Sequence, residues 1–157
     1  MTLRAALVVG IGSPDAGDDA VGPAVAEVVR ARAVVGVEVL VHEDPTDLTL
    51  LWRDRELVVV IDAVRSGEPP GIVRTEVVRE KTAAVWPSGR SGGTHDFGLG
   101  SAVALSRALG TLPELLVLVG VEGRSFAPGD PMTAAVRAAV PTAVDAVLAV
   151  CRQGVGV

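Results

Sequence analysis

A chain of 157 residues is long enough for one domain with a real hydrophobic core. A net charge of −5 and few aromatics (Trp52, Trp86, Phe97 and Phe126, with no tyrosine) argue against a nucleic-acid partner, whether held by its phosphates or by base stacking. Cys151 has no second thiol to pair with, so an internal disulfide is excluded, and it reads as a buried bystander. The N-terminus runs into the first strand without a signal-like apolar segment, and unbroken apolar runs such as Leu115 to Val121 are too short to span a bilayer. These features predict a soluble, cytoplasmic protein, with a monomer as the default state.

In chain order, Leu7-Val8-Val9 reads as a buried strand that stops at Gly10. Gly10-Ile11-Gly12 then makes a tight turn that a ligand could approach closely. Asp18 and Asp19 precede a helix over 21–32, with apolar Val21, Ala24, Val25, Val28 and Val29 at helical spacing and Pro23 in its first turn. Strand two covers 37–41, and a short helix over 45–53 carries Leu48, Leu51 and Trp52 on one face. The run 57–61 is the most apolar and predicts a central strand, whereas 72–78 mixes apolar and charged residues as a strand with one wet face does. Residues 80–94 read mostly as loop, and 97–109 as a helix closed by Gly110. A last core strand over 115–119 leads to a closing helix that starts at Pro131 or Met132, ends at Arg152 and is broken or kinked at Pro141. This alternation predicts a single α/β domain over 1–157, with a mostly parallel sheet and helices on both faces.

The glycines do not make a dinucleotide site. The G-x-G-x-x-G spacing from Gly10 would place its third glycine at Asp15, whose charge would repel a pyrophosphate, and no Gly-Lys-Ser/Thr completes a P-loop. No G-x-S-x-G elbow or H-E-x-x-H is present either.

What remains is a set of acids and a histidine at the carboxyl ends of the strands, where open α/β sheets bind ligands. Asp18 and Asp19 follow strand one, Asp62 follows strand three, and His95 opens a helix in Gly92-Gly93-Thr94-His95-Asp96-Phe97-Gly98. Two carboxylates and an imidazole suit a divalent transition metal. Each has a plainer reading. The acidic pair could cap the helix over 21–32, Asp62 could cap a turn, and His95 could be a bystander beside Thr94 or Asp96. Asp96 could also orient His95. His42, beside Glu43 and Asp44, competes with His95 on position alone, and Glu122 reads as a loop-organising carboxylate rather than a ligand.

The opening Leu7 to Pro14 followed by Asp18-Asp19-Ala20-Val21-Gly22, the strand Val59-Val60-Ile61-Asp62-Ala63-Val64, the segment Thr94 to Leu99, and Leu115 to Gly123 occur in an order that resembles the hydrogenase maturation proteases. These endopeptidases trim the C-terminus of the [NiFe]-hydrogenase large subunit. The resemblance implies a three-layer, phosphorylase/hydrolase-like sandwich. It also implies that Asp19, Asp62 and His95 are the metal-binding and catalytic residues, with Asp18 a flanking acid of less defined role. Nickel, the implied metal, would be carried by the large-subunit precursor, so that cleavage is conditional on its insertion. Ser13 stands where many members have Asn, and Asp19 where many have Glu; the shorter acid would have to bring its backbone nearer the metal. A metal-dependent hydrolase of another substrate and a non-catalytic nickel- or precursor-binding module are the alternatives.

Overall fold

The computed structural model of the protein describes residues 6–78 and 98–156. Five strands form one sheet: β1 (Ala6–Ile11), β2 (Val37–His42), β3 (Leu57–Val64), β4 (Val73–Val78) and β5 (Leu115–Glu122). Their spatial order is β2-β1-β3-β5-β4. Four of the strands run parallel, and β4 lies antiparallel on the outside of β5. The described residues also form four α-helices: α1 (Val21–Ala31), α2 (Leu48–Leu51), α3 (Leu99–Leu109) and α4 (Ala134–Gly156).

Side-chain alternation along each strand sorts the core into two layers. Val8, Val59, Ile61, Val117 and Val119 face α1 and α4. Leu7, Val9, Val58, Val60, Leu116 and Leu118 face α2 and α3. β3 and β5 are buried along almost their whole length, as expected for parallel strands covered on both sides. The three-layer α/β reading therefore holds.

Several boundaries differ from those the sequence predicts. β3 continues three residues past Ile61 and β5 three past Val119, because Asp62, Ala63 and Val64 pair with Gly120, Val121 and Glu122. Asp62 is thus inside a strand rather than after one. The predicted helix over 45–53 is a 3-10 turn at Pro45–Asp47 followed by the single turn of α2, and the Asp44 carboxylate caps it by accepting the Thr46 N–H at 2.9 Å. α4 runs unbroken through Pro141. Pro141 is on the exposed side of the helix, while Ala139, Ala143 and Val144 hold both flanks to the core, so the lost hydrogen bond does not interrupt it. By length and composition α4 could cross a membrane. Its apolar side, from Val136 to Cys151, is instead core, and Arg137, Asp145 and Arg152 are on its exposed side.

Close backbone approach sets the site. An added Cβ at Gly10 would fall 2.4 Å from the Gly22 carbonyl oxygen, and one at Gly22 would fall 2.3 Å from the Ile11 carbonyl oxygen. The first turn of α1 therefore rests directly on the end of β1, which is what brings Asp18 and Asp19 to the sheet edge.

Candidate active site

Asp18 and Asp19 lie in a 3-10 turn, Gly17–Ala20, between β1 and α1. Gly12 permits this turn to fold back. Its φ is +143°, and a Cβ there would come within 2.0 Å of the Asp19 carbonyl oxygen. The Gly-Ile-Gly segment thus accommodates the protein's own backbone.

Neither acid provides a side-chain cap for α1, whose N-cap residue is Ala20. The capping reading is therefore corrected. Asp18 is fully buried and turns to a different part of the chain. It accepts the backbone N–H groups of Arg124 (2.8 Å), Ser125 (3.1 Å) and Thr133 (2.7 Å), and the Thr133 hydroxyl at 2.9 Å. Burial alone pushes its carboxyl upward, but these donors outweigh that and hold it below the usual carboxylate value. Asp18 is therefore the acid that builds the loop after β5.

Asp19 is 6% exposed and accepts the Ser13 N–H at 2.7 Å. Asp62 is 1% exposed, and its Oδ2 has no hydrogen-bond partner among the described residues. Burial, followed by the negative charge of Asp19, pushes the Asp62 carboxyl well above its ordinary value. The charge of Asp19 therefore reaches the Asp62 carboxyl across the sheet edge. A buried carboxyl raised by a neighbouring acid favours binding a proton or a cation over standing ionised.

His95, with Thr94, Asp96, Phe97 and the predicted loop over 80–94, lies outside the described residues. Among the described residues, no cluster of three His, Cys, Asp or Glu side chains capable of holding a metal ion occurs. His42 is paired across the sheet with Ile11, and its Nδ1 lies 3.4 Å from Asp47, a surface carboxylate. Glu122 accepts the N–H of Ser66 at 2.9 Å and its hydroxyl at 2.5 Å, so it organises the loop after β3 as expected. Cys151 is buried, and that burial pushes its thiol up to about 11, as befits a bystander.

The sequence reading did not single out the loop after β5. Phe126 lies beneath the Arg65 guanidinium, 4.4 Å from its ring centroid, and so joins the loop built by Asp18 to the loop built by Glu122. Their separation in sequence hides the pair.

Residues 43–150 match a family model described as hydrogenase maturation protease. The chain is 29% identical over 152 residues to the hydrogenase 2 maturation protease of Escherichia coli (strain K12), covering 94% of this chain and 90% of that protein. The hydrogenase expression/formation protein HupD of Rhizobium leguminosarum bv. viciae is 26% identical over 151 residues, covering 94% of this chain and 74% of that one. Among solved structures, the hydrogenase maturating endopeptidase HybD from E. coli superposes with a TM-score of 0.79 at 26% identity, over 95% of this chain and 93% of that one.

Proposed function

Because this chain belongs to the hydrogenase maturation protease family, we propose that it removes the C-terminal extension of a [NiFe]-hydrogenase large-subunit precursor once nickel has been inserted. Nickel arrives as part of the substrate and is recognised by Asp19, Asp62 and His95. The observation that carries this reading is the Asp62 carboxylate, buried on β3 with Oδ2 unpartnered and with Asp19 near enough to raise it. A divalent cation brought by the precursor would offset the repulsion between the two acids and supply the missing partner. His95 joins them on the strength of its sequence motif.

Cleavage is then conditional. Without nickel the acidic pair stays unfavourable, and nothing favours seating the precursor. With nickel in place the peptide tail is brought to the carboxyl edge of β1 and β3. There a carboxylate is suited to accept a proton from the attacking water. The reaction breaks the peptide bond and leaves a new carboxylate on the large subunit and a new amine on the released tail.

The test is a mass-spectrometric cleavage assay with nickel-loaded and nickel-free precursor. Wild type should release the tail only from the loaded form. Asp19→Asn and His95→Ala should reduce release by about 100-fold or more, and His42→Ala should act as wild type. Complex formation without release would favour a binding module, and nickel-independent cleavage by Asp19→Asn would overturn the site.

A further inference from the structure

Two loops form part of the lip at the carboxyl edge of the sheet, and each is built around a buried carboxylate. Glu122 holds Ser66 in the loop that leaves β3, and Asp18 holds Arg124, Ser125 and Thr133 in the loop that leaves β5. They meet where the guanidinium of Arg65 stacks on Phe126. Phe126 is itself seated. A Cβ on Gly123 would strike its ring at 2.8 Å and the Asp18 Cβ at 2.9 Å, so the ring packs against the turn that contains the acidic pair.

Stacking fixes the plane of a guanidinium and leaves the N–H donors around its edge available. Arg65 is exposed, and no carboxylate among the described residues pairs with it. Arg30, Arg55 and Arg74, by contrast, are each held by a glutamate. Arg65 is three residues beyond Asp62, on an edge that carries Asp18, Asp19, Asp62 and Glu122; Arg124 is the other cation of these two loops, and no ring contact among the described residues fixes it. An anionic peptide group approaching that edge meets repulsion unless a fixed cation receives it.

We propose that Arg65, oriented by Phe126, is a specificity residue that binds a carboxylate of the substrate's C-terminal extension through its planar fork. This rests on the proposed proteolytic function. The carboxylate has two sources, the terminal carboxyl that every such extension carries and an acidic side chain within it.

The experiment compares wild type, Arg65→Gln, Arg65→Lys and Phe126→Leu in steady-state cleavage of nickel-loaded precursor. Arg65→Gln should raise KM by roughly tenfold while kcat changes by less than about twofold. Arg65→Lys should recover part of that loss, and Phe126→Leu should fall between wild type and Arg65→Gln. Precursor with an amidated C-terminus, and precursor with the acidic residues of the extension changed to amides, identify the source. The substrate that lacks the bound carboxylate should lose the same factor with wild type and nothing further with Arg65→Gln. Calorimetric titration of the synthetic extension peptide repeats the comparison without requiring cleavage. Unchanged KM and peptide affinity in Arg65→Gln would overturn the proposal. Failure of wild type to cleave would overturn the proteolytic reading and leave the titration to decide the role of Arg65.

Discussion

Asp18 and Asp62 are both buried aspartates beside the same sheet edge, yet their surroundings push them in opposite directions. Asp18 is enclosed by three backbone N–H groups and a hydroxyl, which hold its carboxyl low and make it a structural anion. Asp62 has burial and a neighbouring acid, which hold its carboxyl high. Identical side chains thus divide into one whose ionised form the fold stabilises and one whose ionised form it disfavours. The difference is set by donors, since both are removed from water.

The largest expected effect is on the satisfied acid. Asp18→Ala should destabilise the protein by about 3 kcal/mol, because it leaves buried N–H groups of the loop after β5 without an acceptor. Urea unfolding measures this, and a change under about 0.5 kcal/mol would show that the cradle is not structural. The opposite sign is expected at the other acid. Asp62→Asn should abolish cleavage and raise stability by on the order of 1 kcal/mol at neutral pH, by removing a carboxyl whose ionisation is disfavoured by folding despite a backbone hydrogen bond from Ala63.

Titration sharpens the contrast. The ordinary value for both groups is 3.8. The stability that Asp18 supplies is present above that value and is lost as pH falls through its lowered folded value. Asp62 has the reverse sign. Its favourable contribution is complete below 3.8 and is lost as pH rises through its raised folded value. The stability advantage of Asp62→Asn over wild type should therefore vanish in acid and grow with rising pH, as unfolding measured from pH 3 to 8 would reveal. The smallest effect concerns Cys151, whose buried thiol is pushed up to about 11. It should resist a thiol reagent at pH 8 until denaturant is added, and rapid native labelling would contradict the burial.

The sequence makes one half of this comparison legible and hides the other. Asp62 ends a β-branched run, and the rule that ligands sit at carboxyl strand ends makes it a candidate beside the plainer turn-cap reading. Asp19 is selected by its place in the family motif, since its adjacency to Asp18 leaves open which of the two acids faces the site. The role of Asp18 is illegible locally because its partners at Arg124 and Thr133 are 106 and 115 residues away. The strand bodies follow from local composition, but the extension of β3 to Val64 depends on pairing with Glu122 across the fold. Pro141 misleads for the same reason: its local effect is outweighed by apolar contacts of α4 on either side of it.

The antiparallel edge strand has a consequence for how the protein is made. β4 precedes β5 in the chain yet pairs outside it, so β5 must be placed between β3 and β4. While the ribosome has supplied only residues up to Val78, β3 has its β1 neighbour but an unpaired second edge, and β4 has no native strand to join. Both stay unsatisfied until Leu115–Glu122 emerges. The same late segment delivers Glu122 and leads into the loop that encloses Asp18. A nascent chain therefore carries Asp62 long before the strand that buries it on its second side exists, and the acidic edge is completed only after β5 has been made.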